Sequence, residues 1–400
     1  MYWRLLRTNR DFRLLYFATL ISLGGDWFLT VALLDLVLQL TGSATLVSMV
    51  LLLQTLPVFL FTPHAGHLID RVDRRKLMIA VDVLRIAACL LPLLARTPAM
   101  LPFAYAGVFL IAVGSAYFEP ASQAALPNIV PAEDLATANV LMGSTWGTML
   151  TAGAAIGGAV TTLFGRDTSF VVDAISFGVS ALLLVRMRGR FSEERGAQHE
   201  YPKFGESLRE TFRFAKAQRR VLGLLTVKTG YGLGAGIVAL LGVFGKEVFR
   251  SGAWGIGLLY AARGIGALFG PFLLRGFVKE DNARYKAIAF CVMAFGAGYC
   301  ALAVSKTLAA GFAAILFAHL GGGAAWQLST YGLQRETPDY IRGRVFSVDY
   351  GFVTLTMACS GLASGIAADQ FGATIATLAT ASVCVLFGMV WAYSTWRLWR

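Results

Sequence analysis

Ionisable side chains inside apolar stretches are where this chain could do chemistry. Asp26 lies fourteen residues into an apolar run over 12–38 and is the only charged residue between Arg13 and Asp35. On a helix that depth is about 21 Å. Thr19, Ser22, Asp26 and Thr30 recur at steps of three and four, so they share one helical face. A charge at the centre of a bilayer costs about 2.5–3.5 kcal/mol even on insertion scales, so each one calls for a reason. For Asp26 two stay open: a carboxyl that loads and releases a proton, and an anchor for a fixed salt bridge or hydrogen bond. Glu119, with Ser115 and Ser122 on its face and expected at the end of the fourth apolar run, is the second candidate for proton coupling. Pairing with Arg85 is its structural alternative. Lys228 and Arg263 are the deep cations of the second half; they suit a buried carboxylate or an anionic group of a substrate. His319 shares a face with Gly323, Trp326 and Thr330, with Gln327 adjacent. Together with Thr19, Ser22, Trp27 and Thr30, the residues Lys228, Arg263, His319, Trp326 and Gln327 form a candidate substrate-cavity lining, with core packing as the alternative.

Other charged groups read as structural. Asp82 and Arg85 are one turn apart and suit a local ion pair. Asp173 and Asp349 are expected near helix starts, where carboxylates suit the dipole, and Asp35 is expected at another interface. His64 and His67 stand three apart without an evident third ligand, so no metal site is expected. The five cysteines lie in apolar stretches and form no C-x-x-C pair. No phosphate-binding loop, nucleophile elbow or H-E-x-x-H motif occurs, so neither enzyme chemistry nor a cofactor is expected.

The elements that must carry these groups are membrane helices. Of 400 residues, 56% are hydrophobic and 14% charged, against about 25% charged in soluble domains. That excludes disorder and a secreted disulfide scaffold. Twelve runs are long enough to cross about 30 Å of hydrocarbon: about 12–38, 44–65, 77–95, 100–121, 137–164, 168–187, 219–245, 253–275, 285–304, 307–331, 345–368 and 372–396. Backbone polar groups in lipid must bond internally, so the fold class is all-α. The first run is too long for a signal-peptide core and is expected to stay as a helix. Of the 35 Lys and Arg, 27 fall in alternate loops and the two termini, five on the other side and three within spans. That asymmetry places both termini in the cytoplasm. The net charge of +12 is therefore mostly an orientation signal, and no nucleic-acid partner is expected.

The polar interval 188–217 divides the spans into six and six, with bundles expected over 1–187 and 218–400. The halves echo each other at an offset of 207 residues: Leu126 and Pro131 with Leu333 and Pro338, Gly158 with Gly365, Phe164-Gly165 with Phe371-Gly372. Thr41-Gly42-Ser43-Ala44 has a looser echo in Ser251-Gly252-Ala253. Parallel six-helix repeats are one way secondary transporters are built.

The loop Gly66-His67-Leu68-Ile69-Asp70-Arg71-Val72-Asp73-Arg74-Arg75-Lys76 resembles the signature loop of the major facilitator superfamily. Asn9-Arg10-Asp11-Phe12-Arg13-Leu14, Gly25-Asp26-Trp27, Pro120-Ala121 with Leu126-Pro127, and Gly343-Arg344-Val345-Phe346-Ser347 resemble its drug/macrolide-efflux and siderophore-exporter branch. The resemblance implies two pseudo-symmetric six-helix bundles around a midplane site formed mainly by helices 1, 4, 7 and 10. It also implies export of an amphipathic small molecule in exchange for protons across the cell membrane. Gly66, Asp70, Arg71, Arg74 and Arg75 are expected to form a conformational latch, the arginines reaching to the other half. In the fifth span Gly153-Ala154-Ala155-Ile156-Gly157-Gly158 resembles an element associated with antiporters, with Ala154 at its proline position; Gly153, Gly157 and Gly158 also suit close helix packing. A lysophospholipid or other lipid translocator of the same fold is the alternative, and a non-transporting sensor or a membrane enzyme a more distant one.

Overall fold

The computed structural model describes residues 2–69, 72–188, 204–274 and 281–399. Among them every regular element is helical. Twelve helices are long and apolar enough to cross a bilayer: α1 Arg10–Thr41, α2 Ala44–Ile69, α3 Arg74–Leu90, α4 Leu101–Ile129, α5 Leu135–Phe164, α6 Arg166–Val185, α7 beginning with Arg219–Ala235, α8 Gly252–Leu273, α9 Asp281–Val304, α10 Leu308–Glu336, α11 Asp339–Phe371 and α12 Ala373–Thr395. Short helices Tyr2–Thr8 and Phe204–Ala217 lie outside the spans.

Local chemistry sets the ends. Asn9 caps α1 by accepting from Phe12 N at 2.9 Å, and Gly42 closes it in the left-handed region at φ 64°. Asp73 caps α3 by accepting from Lys76 N at 2.9 Å. The structure departs from the expected limits where proline or glycine misleads. α4 runs on through Pro120 and Pro127, because a membrane helix absorbs a lost N–H more easily than it exposes backbone to lipid. Glu119 is therefore mid-helix, not at a helix end. α11 starts at Asp339, so Asp349 lies ten residues inside it, and Asp173 is likewise interior to α6. Neither sits at a helix start as expected. α7 changes form at its glycine-rich stretch, passing into a 3-10 turn over Gly236–Leu240 and a π turn over Phe244–Val248. The Ser360 hydroxyl of α11 donates to the Leu233 carbonyl just before this change.

The chain forms two compact units. The first comprises residues 1–42, 53–198 and 251–261. Its core holds Phe12, Leu15, Met78, Phe118, Leu126 and Leu184, all buried. Small residues bring its helices together: a Cβ on Gly157 would stand 2.9 Å from the Phe28 Cα, and one on Gly158 3.0 Å from the Gly257 Cα. In lipid such backbone approach, rather than apolar burial, drives helix association. The second unit comprises residues 43–52, 199–250 and 262–400. Tyr299, Phe295 and His319 are among its buried side chains. The start of α2 is tied to α11 there, with Asp369 accepting from Ala44 N at 2.6 Å, Thr45 N at 3.0 Å and Ser43 Oγ at 2.7 Å.

The sequence echo is also a backbone echo. Gly165 and Gly372 share φ 85°, with ψ 165° and 154°. Val130 N donates to Leu126 O and Thr337 N to Leu333 O, at 3.0 Å in each case.

Candidate functional site

In the first unit α3 carries Asp82, Arg85 and Cys89, and α6 carries Asp173, Ser176 and Ser180. Both sets step by three and then four, so each forms a stripe on one helical face. The stripes meet antiparallel. Ser180 Oγ donates to Asp82 Oδ2 at 2.6 Å, and Cys89 Sγ donates to Asp173 Oδ2 at 3.1 Å. Arg85 is the hub. Its Nη1 reaches Asp82 Oδ1 at 3.4 Å, Nη2 donates to Ser115 Oγ of α4 at 2.8 Å, and the rings of Phe118 and Phe177 stand 5.1 and 5.0 Å from the guanidinium carbon.

The expected coupling carboxyls converge here. Asp26 is within electrostatic reach of both Arg85 and Glu119, and Asp82 and Asp173 are each within reach of Asp26. Exposure falls across the group: Glu119 is exposed, Asp26 half-buried, and Asp82 and Asp173 both 0% exposed. The local Asp82–Arg85 ion pair is as expected, whereas Asp173 is interior to α6 and joins the same cluster. The repeated three-then-four spacing on α3 and α6 was the signal that would have joined them. Gly25 permits the arrangement, since a Cβ there would collide with the Asp173 carboxylate and with Ser176.

The remaining first-unit candidates are mostly self-satisfied. Ser22 Oγ donates to the Thr19 carbonyl at 3.1 Å. Thr30 Oγ1 donates to the Asp26 carbonyl at 2.7 Å and accepts from Gln54 Nε2 at 2.9 Å. Thr19 is buried. Trp27 packs on Tyr260, with ring centroids 5.6 Å apart, and a Cβ on Gly153 would meet the Trp27 Cβ at 3.2 Å. Gly153, Gly157 and Gly158 thus lie at packed helix crossings. His64 Nδ1 is 2.8 Å from the Tyr117 hydroxyl.

Of the expected latch, Asp70 and Arg71 lie outside the described residues, and Gly66 falls within α2. Arg74 and Arg75 were expected to reach the other half, but both bond inside the first unit. Arg74 Nη1 donates to the Ala124 carbonyl of α4 at 2.8 Å, and Arg75 Nε to the Leu184 carbonyl at 2.8 Å, with Nη2 bonded to the Val185 carbonyl. The Leu184 carbonyl also accepts from Met187 N at 3.2 Å, so Arg75 adds a charged donor at a helix C-terminus, where a basic side chain suits the dipole.

In the second unit Lys228 is bonded to Asp349 and donates to Thr330 Oγ1 at 2.9 Å, with its ammonium 4.8 Å from the Trp326 ring centroid. Lys228, Tyr231, Trp326 and Ser329 help to line a cavity of about 10 Å³, room for roughly one water. His319 is buried and bonded to the Tyr299 hydroxyl at 2.8 Å. Arg263 acts electrostatically on Tyr231 and His319. Gln327 is exposed, one position round the helix from Trp326. Lys228 therefore finds its carboxylate on α11, a partner that the sequence reading did not consider.

A family model described as transmembrane secretion effector matches residues 3–398. The chain belongs to that family. Macrolide efflux protein A of Streptococcus pyogenes is 25% identical over 362 residues, covering 88% of each chain. The multidrug efflux pump Tap of Mycolicibacterium fortuitum is 26% identical over 392 residues, covering 94% of each. A crystal structure of a peptide transporter POT in complex with sulfate matches with a TM-score of 0.78 at 10% identity, covering 98% of this chain and 95% of that one. That likeness shows a shared fold. The protein is thus a multi-pass membrane transporter of the major facilitator type, as expected, and its family is not one of enzymes.

Proposed function

We propose that this transporter exports an amphipathic small molecule in exchange for protons, by alternating access. The observation that carries the reading is the charge imbalance of the first unit. Arg85 is paired with Asp82 at 3.4 Å, and Asp26, Glu119 and Asp173 are within electrostatic reach of that same cation. One guanidinium neutralises one carboxylate, so the charge of the cluster depends on how many protons the others hold. A cluster whose charge follows proton occupancy, in a medium where charge is costly, is what coupling requires. The efflux roles named for the two relatives support the direction of transport. Asp26 and Glu119 are the proposed entry points for the proton, because they are the accessible members. Thr19, Ser22, Trp27 and Thr30 in the first unit, and Lys228, Arg263, His319, Trp326 and Gln327 in the second, are the proposed substrate contacts. The charge asymmetry of the loops supports residence in the cell membrane with both termini in the cytoplasm.

Proteoliposome flux tests the reading. With a radiolabelled macrolide as first probe and a lysophospholipid as the competing one, an imposed pH gradient should drive wild-type flux. Asp26→Asn should lose that drive while keeping exchange of labelled for unlabelled probe. Flux indifferent to the gradient in wild type would remove proton coupling, and movement of the lysolipid alone would replace the substrate class.

A further inference from the structure

Resting on that coupling reading, we infer that Asp173 is a further proton-carrying residue of the cluster, and that the Cys89 thiol is its built-in hydrogen-bond partner and reporter. Asp173 is 0% exposed. Its hydrogen-bond partners are neutral: Cys89 Sγ at 3.1 Å on one carboxylate oxygen and Ser176 Oγ at 3.2 Å on the other. Neither supplies a compensating charge. The Arg85 guanidinium bonds instead to Asp82 and Ser115. Asp82 thus has its cation in contact, whereas Asp173 has one only at longer range. The charged groups that face Asp173 are Asp26 from α1 and Arg85 from α3, and the titratable group in contact is Cys89.

A buried carboxylate with neutral partners alone is costly, and a proton removes the cost. The same pocket must also tolerate the anion: the Cys89 S–H donates to one carboxylate oxygen, and the one hydrogen of the Ser176 hydroxyl is shared between the Asp173 backbone carbonyl at 2.8 Å and the other carboxylate oxygen at 3.2 Å. The neighbour along the chain from Gly25, which makes room for the Asp173 carboxyl, is Asp26. In the proposed step a proton leaves the Asp26 carboxylic acid and joins the Asp173 carboxylate, so the summed charge of the pair stays constant. It returns by the same route when the site opens to the other side. Asp26 is the accessible port and Asp173 the protected store.

The thiol gives a direct readout, since an S–H bond donating to a carboxylate stretches at lower frequency than one facing a carboxylic acid. Infrared spectra of the full chain in liposomes, stepped through pH, should show an S–H band that moves to lower frequency as pH rises. Cys89→Ala should abolish that band and leave those of the other four cysteines. A protonated-carboxyl band should disappear in step with the shift in wild type and be absent in Asp173→Asn. An S–H band fixed across the pH range, or a carboxyl band unchanged in Asp173→Asn, overturns the proposal. The wild-type spectrum needs no altered Asp173, so poor folding of that variant does not remove the test. Flux separates this inference from its premise. If a pH gradient drives wild type and Asp173→Asn equally, the store is wrong and coupling stands. If the gradient drives no flux while the bands behave as stated, Asp173 titrates and the coupling reading falls.

Discussion

Arg85 holds the first-unit cluster together by three kinds of contact: an ion pair with Asp82, a hydrogen bond to Ser115, and two aromatic faces. Its removal leaves Asp82 with only Ser180, at 0% exposure. Breaking a buried pair from one side costs about 3–5 kcal/mol, since the stranded charge is worse than no charge. We expect Arg85→Met to lower the apparent melting temperature in detergent sharply, and Asp82→Asn to lower it less. Arg85→Lys should fall between, because an ammonium cannot span Asp82 and Ser115 while lying flat between two rings. Equal losses for all three variants would mean that the site responds to volume rather than to charge. In the second unit, Lys228→Met strands Asp349 in the same way, and the double variant Lys228→Met with Asp349→Asn should recover part of the lost stability.

Among the elements, the two halves repeat each other in backbone as well as in sequence. Gly165 and Gly372 adopt φ 85° with ψ near the extended limit, a region held almost solely by glycine. A Cβ at either position meets nothing within 4 Å. The cost of Gly165→Ala or Gly372→Ala is therefore backbone strain, about 1–3 kcal/mol, and the repeat requires similar losses of thermal stability at both sites. A clear difference between them would break the equivalence. The halves differ at the neighbouring tie. Asp369 caps the start of α2, whereas position 162 of the first half is a threonine bonded to its own Gly158 carbonyl. Asp369→Ala should cost about 1 kcal/mol, as lost caps do, and speed amide exchange at Ala44 and Thr45. These elements also show what the sequence carries. Twelve spans, the repeat and Asp26 are legible because hydrophobic length and isolated charge are local properties. The end of α4 is not, since Pro120 breaks a soluble helix yet is absorbed in a membrane one. The pairs Asp82 with Ser180, Cys89 with Asp173 and Lys228 with Asp349 are not legible one by one, because each joins helices far apart in sequence. The carbonyls that Arg74 and Arg75 meet, Ala124 within α4 and Leu184 and Val185 at the end of α6, are visible only in three dimensions.

For the whole molecule, the prediction that reaches furthest concerns orientation. The basic residues are segregated, 27 of 35 on one set of loops and termini and five on the other. Moving a basic loop across a membrane opposes the membrane potential, so the richer side is expected in the cytoplasm. The two loops most useful for a test contain Thr97, between α3 and α4, and Lys306, between α9 and α10. They come from opposite halves, yet even numbers of spans separate them, so they must share a face. In a background without the five native cysteines, Thr97→Cys and Lys306→Cys should react with a membrane-impermeant maleimide in intact cells. Thr8→Cys and Gln218→Cys should react only after permeabilisation. The pairing matters more than any single site. Two parallel repeats demand that the first and second members of each pair behave alike, whichever way the protein is inserted. If Thr97→Cys and Lys306→Cys label from opposite sides, an odd number of crossings separates them, and the Arg85 cluster would no longer belong to one of two equivalent bundles. If both label only after permeabilisation, the repeat survives but the protein sits inverted, and a proton-for-substrate exchange would still run outward, because the gradient and not the insertion sets its direction.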